Sequence, residues 1–378
     1  MRSILFFFLL AAPLMVVSCS DPVSDVGLDL LGSEVNLQTK TAQVSSFSAS
    51  TLVDITGSAP RVLVGSVDDP LTGQIATHGF LDFGGDFSGA PSDSISRVQL
   101  KLSRNYNFGD TLATVQFELH QIQKEWNHIG RRSDTGLDVG PAIMTVTIQD
   151  TLTIVDLPES WVSENENVLR SADFETEFHG FALIENGSGQ VVGFTSTRTV
   201  LEVTSSGGLT TYNVSSTHTQ IERMRPSDAP SGFLLFQDGA GPAIELDFAF
   251  DEFENQPING VELVFSVDTD ASQAASENFV RPLPQILQLV AVPPDDADPA
   301  VLVGQATIND GAYRFSERDV SVFFQRVFFG SQQYSRLELR APIVNHSLNA
   351  ALFHHAYAPD FSLWSSIILS PLECSVYF

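Results

Sequence analysis

Cysteine is almost absent from this chain of 378 residues, which contains only Cys19 and Cys374. If Cys19 is consumed by lipid attachment, as its surroundings indicate below, Cys374 has no partner within the chain. No intrachain disulfide is then possible, so the folded body must be held together by packing. Its size and its 43% hydrophobic content are sufficient for large cores, and the length suggests two domains.

Positive charge is also scarce. Lysine and arginine total 19 against 46 acidic residues, which gives a formal net charge of −27, and lysine occurs only at positions 40, 101 and 124. A surface of this sign repels phosphate groups, so nucleic acid is excluded as a partner and anionic lipid is disfavoured.

Long apolar runs and known catalytic motifs are missing after residue 19. A membrane-spanning helix needs about 20 apolar residues, so no second span is expected. The nucleophile elbow, the P-loop and the His-Glu-x-x-His zinc motif do not occur, which argues against the common enzyme classes. No catalytic residue, metal site or cofactor is predicted.

The N-terminus has the pattern of a lipoprotein export signal. Arg2 precedes an apolar run, and Val16-Val17-Ser18-Cys19 resembles the bacterial lipobox. Residues 1–18 are therefore predicted to be a signal peptide, and Cys19 the site of lipid attachment to the membrane. Residues 19–40 read as a polar spacer. The acidic start after Cys19 is similar to the tag that sends lipoproteins of Bacteroidota to the outer membrane surface; the periplasmic face is the alternative.

The remainder alternates between apolar and polar residues, which is typical of strands that have one buried face. Residues 95–102 and 115–120 follow this pattern, and residues 107–110 offer turn chemistry for a hairpin between them. Many short strands separated by Gly, Pro, Asn and Asp favour two tandem jelly-roll-like β-sandwich domains, at 41–225 and 233–378, with a linker at 226–232.

One amphipathic helix is predicted in the second domain. Val320, Phe323, Phe324 and Val327 have helical spacing, Ser316 is a candidate N-cap, and Gly330 ends the pattern. The aromatic stripe is expected to pack on a sheet.

Two tryptophans and several acidic clusters are candidate binding groups. Trp126 and Trp161 would serve as a stacking platform for sugars, or else as core edges. The clusters at 68–69, 268–270 and 295–298 supply oxygen atoms of the kind that calcium prefers, although solvated surface is the simpler interpretation. Asp68-Asp69-Pro70 would instead set a turn through an aspartate side chain.

Three blocks resemble the Bacteroidota lipoproteins grouped as domain of unknown function 4270. They are VLVGSVDDPLTG at 62–73, FQDGAG at 236–241 ahead of INGVEL at 258–263, and GLDLLG at 27–32. The resemblance implies an envelope lipoprotein of mainly β structure, in a family whose activity is itself open.

The leading expectation is therefore a noncatalytic outer-membrane lipoprotein that binds a protein partner in the envelope, through sheet edges and loops. A surface glycan-binding module is the first alternative. An undetected hydrolase is the second, and it would require acidic side chains that converge in a cleft.

Overall fold

The structure is a computed structural model that describes residues 44–51, 55–56, 59–84, 91, 93–129, 131–132, 134–148, 151–225, 230–239, 242–248, 260–273, 277–295, 298–342 and 346–354. The predicted signal peptide, Cys19 and Cys374 lie outside these ranges. No helix in the described part is long and apolar enough to cross a membrane.

The described chain is mainly β, and every strand pairing in it is antiparallel. The predicted β-sandwich class is confirmed. The strands are β1 Val44–Thr51, β2 Ile55–Thr56, β3 Arg61–Asp69, β4 Gly73–Gly84, β5 Ile95–Asp110, β6 Gln116–Ile122, β7 Arg131–Arg132, β8 Val139–Thr147, β9 Leu152–Asp156, β10 Phe181–Glu185, β11 Gln190–Thr195, β12 Val200–Ser205, β13 Gly208–Arg225, β14 Phe233–Gln237, β15 Pro242–Phe248, β16 Leu263–Ser266, β17 Phe279–Val280, β18 Ile286–Val292, β19 Val301–Asn309, β20 Ala312–Phe315, β21 Arg336–Arg340 and β22 Ala350–His354.

Four α-helices join these strands in the described ranges. They are α1 Glu159–Leu169, α2 Phe174–Glu177, α3 Thr269–Ser272 and α4 Arg318–Phe328. Helix α4 confirms the predicted amphipathic helix, and it buries Val320, Phe323 and Phe324. Its N-cap is Glu317 without a side-chain hydrogen bond, so the predicted cap at Ser316 is wrong.

The first half forms one extended sheet in the order β13-β12-β5-β11-β3-β4-β10-β6-β8, to which β9 and β17 add by pairing with β5. A further pairing of β13 with β4 curls the sheet back on itself and encloses a core. That core includes Leu100, Phe117, Trp161, Phe181 and Phe194.

The predicted hairpin between residues 95–102 and 115–120 is wrong. Strand β5 pairs with β9, β11, β12 and β17, while β6 pairs with β8 and β10. The turn chemistry at 107–110 lies inside β5, where Gly109 adopts a φ of 114° and the strand continues along β11.

The second half has a sheet in the order β1-β15-β21-β18-β19-β20-β16, with a separate core under α4. Strand β1 falls within the predicted first domain, 41–225, yet it pairs with β15 of this second sheet. Strand β17 crosses in the other direction and pairs with β5. The two halves therefore exchange strands, and the predicted domain boundaries stay a prediction.

Two buried polar contacts join the halves in a region that we call the seam. It contains Asp69 and Tyr106 from the first half and Arg281 and Leu348 from the second. Arg281 Nε donates to Asp69 Oδ2 at 2.8 Å, and a second guanidinium nitrogen bonds the other carboxylate oxygen. The two side chains are 4% and 0% exposed. Nearby, the backbone N–H of Leu348 donates to the hydroxyl of Tyr106 at 2.9 Å. These contacts join the halves by specific bonds.

Candidate functional site

A cleft of about 310 Å³ opens in the first half between the edge strand β8 and the start of α1, with β6 at its base. Its volume is at the lower end of the range for small-molecule sites, about 300–1,000 Å³. Strand residues form one wall and helix residues the other. The lining residues are Gln121, Gln123, Gly140, Pro141, Ala142, Ile143, Pro158, Ser160, Trp161 and Glu164.

Trp161 is held in the helix wall by a closed set of hydrogen bonds. Its indole Nε1 donates to Gln121 Oε1 at 3.0 Å, and Gln121 Nε2 donates to Asn165 Oδ1 at 3.2 Å. Asn165 Nδ2 returns to the Trp161 carbonyl at 2.8 Å. Because every member is bonded to the next, this corner of the cleft is preorganised.

The solvent-facing part of the cleft combines polar groups with apolar surface on its walls. Gln123, Ser160 and Glu164 are exposed, and Glu164 supplies the one carboxylate among the lining residues. Pro141 and Pro158 add apolar surface. The arrangement can hydrogen-bond a neutral ligand, but it lacks the pair of converging carboxyls that the hydrolase alternative requires.

Strand β8, which forms the other wall, is protected against pairing with a further strand. Pro141 lacks a backbone N–H, and the β6–β8 register shifts twice, at Leu119/His120 and at His120/Ile122. Gly140 leaves room for the Gln123 amide, since a Cβ at this position would lie 2.6 Å from Gln123 Nε2 and would displace that side chain. The edge is thereby shaped into a cleft wall.

Strand β9 presents a contrasting edge. It pairs with β5 without a register shift, and no strand in the described part pairs with its other side. Thr153 and Val155 are buried, while Leu152 and Ile154 are each 45% exposed on the outer face. A strand edge that no described strand covers, with aliphatic side chains facing outward, is a place where another chain can pair.

The predicted sugar-stacking platform of Trp126 and Trp161 stays a prediction, and the structure places both side chains at the edge of packed clusters. The two residues are 9% and 6% exposed, so neither presents an open ring face. Trp126 Nε1 donates to the carbonyl of His179 at 2.9 Å, and its ring packs in a small cluster that includes Phe80. Trp161 contributes to the cleft as a fixed wall.

The acidic cluster at 68–69 confirms the turn-setting alternative. Asp69 accepts hydrogen bonds from the backbone N–H groups of Leu71 and Thr72, at 3.1 and 3.3 Å, in addition to its pairing with Arg281. Asp68 lies on the surface, 3.6 Å from Arg225. Sequence reasoning missed Arg281, because the 212 residues that separate it from Asp69 leave no local signal.

The other acidic clusters have no metal-binding arrangement within the described residues. Asp268 caps α3, since its side chain accepts from the Ala271 N–H at 2.8 Å. Part of the 295–298 cluster lies outside the described ranges.

Two features elsewhere bear on chemistry. His128 Nδ1 lies 3.0 Å from Ser216 Oγ, but among the described residues no carboxylate is within 4.0 Å of His128 to orient it. Asp82, the partner of Ser216 across strands β4 and β13, is half-buried. Burial, opposed by a hydrogen bond from the Phe83 N–H and assisted by the nearby charges of Glu175 and Glu125, raises the pKa of Asp82 to about 6.

Comparisons with known proteins add little. No protein-family model matches this chain, and no curated protein matches it. Among solved structures, a candidate secreted protein from Parabacteroides distasonis is similar at 7% identity, over 88% of this chain and 97% of that chain, with a TM-score of 0.19. A likeness of this size carries no argument, and the resemblance to domain of unknown function 4270 stays a prediction.

Proposed function

We propose that this chain is a noncatalytic lipoprotein of the bacterial outer membrane, and that it binds a protein partner through the open edge of β9. The lipobox-like sequence before Cys19 supports the anchor, and the three sequence blocks support membership in the family of domain of unknown function 4270. The body would face water, on the cell surface or on the periplasmic side.

The observation that carries the proposal is the state of the β9 edge. An incoming extended segment gains backbone hydrogen bonds from an unpaired strand edge and side-chain contacts from the residues that face outward. Strand β9 offers both, since no strand of the described part pairs with its outer side and Leu152 and Ile154 are accessible. The net charge of −27 favours a partner with a basic surface.

Absence of catalysis is part of the proposal. The cleft supplies one carboxylate, and its Gln121 amide is already committed to Trp161 and Asn165. The Ser216–His128 pair lacks a carboxylate on the histidine within the described ranges, and such a group normally orients the base of a hydrolytic triad. These features suit binding better than proton transfer.

The partner-binding proposal is tested by affinity capture of the tagged, full-length protein from detergent-solubilised envelopes. We expect one stoichiometric partner with the wild type, and its loss in Ile154→Asp, which places a charge on the open edge. Ile129→Asp is the matched control, because Ile129 is 72% exposed in a loop. Equal recovery of the partner by both variants, or no stoichiometric partner at all, would count against the proposal.

The anchor is tested separately by mass spectrometry of the native protein. We expect a mature chain that begins at an acylated Cys19, and release of the body into the soluble fraction for Cys19→Ala. A native chain with another first residue would refute the anchor without touching the β9 proposal.

A further inference from the structure

We propose that the cleft between β8 and α1 is a binding site for a neutral saccharide. This site lies apart from the β9 edge and takes a different class of ligand, so it goes beyond the partner-binding role.

The first argument is the mixture of groups in the cleft. A sugar ring presents hydroxyl groups along its rim and C–H groups on its faces, so its sites combine planar polar side chains with apolar surface. Gln123 and Ser160 can each donate and accept, and the carboxylate of Glu164 accepts from hydroxyl groups. Pro141, Pro158 and the edge of the Trp161 ring supply the apolar contact surface.

The second argument is preorganisation. Trp161 is fixed through Gln121 and Asn165, and Gln123 Nε2 contacts the Gln121 carbonyl at 3.4 Å. Gly140 leaves the space beside the Gln123 amide that any larger residue would fill. A weakly bound ligand such as a sugar benefits from walls that need no reordering on binding.

The third argument is the exclusion of other ligands. Anions are repelled by Glu164 and by the charge of the whole body, −27. A peptide cannot add as a strand along this wall, because Pro141 and the two register shifts interrupt the edge. An organic cation is attracted by Glu164, but it would gain no cation–π contact from Trp161, which is only 6% exposed and presents no open ring face.

The test uses the purified full-length protein. An array of neutral oligosaccharides surveys binding, and saturation-transfer NMR measures the binding of methyl glycosides of glucose, galactose and mannose. Methyl glucuronide serves as the matched anionic probe, and butylammonium as the cationic one. We expect at least one neutral glycoside to bind and the glucuronide to bind at least about tenfold more weakly.

Variants locate the site. Glu164→Ala and Gln123→Ala should each weaken saccharide binding about tenfold or more, because each removes hydrogen bonds to the ligand. Glu159→Gln, on the same helix but not among the lining residues, should leave binding unchanged. Thermal unfolding of each variant verifies that these exposed substitutions preserve the fold.

Four results would overturn the proposal. They are no binding of any neutral saccharide by the wild type, equal binding by all three variants, equal binding of the glucuronide, and binding of butylammonium alone. None of these depends on whether β9 binds a protein partner.

Discussion

The seam between the two halves and the rim of the first half use polar groups in opposite ways. At the seam, Asp69 and Arg281 are buried and satisfy one another. At the rim, which comprises β8, β9, α1 and Gln123 directly after β6, the side chains of Gln123, Ser160 and Glu164 face solvent. Leu152 and Ile154 are exposed there as well, on a strand without an outer partner in the described part.

This difference separates what stabilises the molecule from what is available for binding. A buried pair is expensive to break, because loss of one partner leaves the other charged and without water. Substitution of an exposed side chain at the rim changes the free energy of unfolding little, yet these are the side chains that a ligand would contact. Substitutions at the seam should therefore destabilise the protein more than substitutions at the rim.

The largest effect is expected at the seam. Arg281→Met should lower the free energy of unfolding by about 3–5 kcal/mol, because Asp69 would remain buried without its cation. Arg225→Met removes the cation beside the neighbouring Asp68, where both side chains are 72% exposed, and should cost at most about 1 kcal/mol. Denaturant unfolding measures the loss of stability in both variants. Equal losses would mean that the buried pair at the seam stabilises the fold no more than the exposed pair does.

The next largest loss of stability is expected in the hydrogen-bonded group of Gln121, Trp161 and Asn165 at the cleft. Gln121→Ala leaves the Trp161 indole and the Asn165 amide without their partner, and should destabilise the fold by about 1–3 kcal/mol. Gln116→Ala removes an exposed amide from the same strand, with an expected cost below about 0.5 kcal/mol. A double-mutant cycle of Gln121→Ala with Trp161→Phe should show coupling, and simple additivity would contradict the proposed network.

Asp82, which has no ion-pair partner within the described part of the chain, should make the stability of the protein depend on pH. Because the pKa of Asp82 is raised to about 6, the folded state binds a proton more tightly than the unfolded chain does. Stability from this group is therefore present at low pH and is lost as the pH rises from about 4 through 6.

Asp82→Asn should accordingly raise the free energy of unfolding at pH 7 by about 1–2 kcal/mol, after allowance for the solvent that reaches this group. The gain should shrink as the pH is lowered toward 4. Urea unfolding across this range measures it, and a substitution that destabilises the protein at pH 7 would contradict the assigned pKa shift.

The smallest effect on stability is expected at the open edge. Ile154→Asp should change the free energy of unfolding by no more than about 1 kcal/mol, because this side chain already faces solvent. A larger loss would mean that the edge is part of the core, and the rim would then resemble the seam.

Sequence reasoning succeeded where the signal is local. Period-two alternation predicted the β class, helical spacing of Val320, Phe323 and Phe324 predicted α4, and Asp69 before Pro70 predicted a turn. In each case the residues that determine the structure lie within a few positions of one another.

Prediction from the sequence failed where contacting residues are distant along the chain, or where polar side chains face the interior. Helix α1 was missed because Asn165, which would continue the apolar stripe from Trp161, is polar and is satisfied by Gln121 on β6. The cleft depends on this same contact, so its place in the fold was not predictable. The exchange of β1 and β17 between the halves leaves no local pattern at all.

The most direct test of the partner-binding account is photo-crosslinking in intact cells, with a photoreactive amino acid at position 154 and, as the control, at position 129. The account predicts a discrete adduct with one envelope protein from position 154 and none from position 129. No adduct from position 154, or the same adducts from both positions, would contradict it.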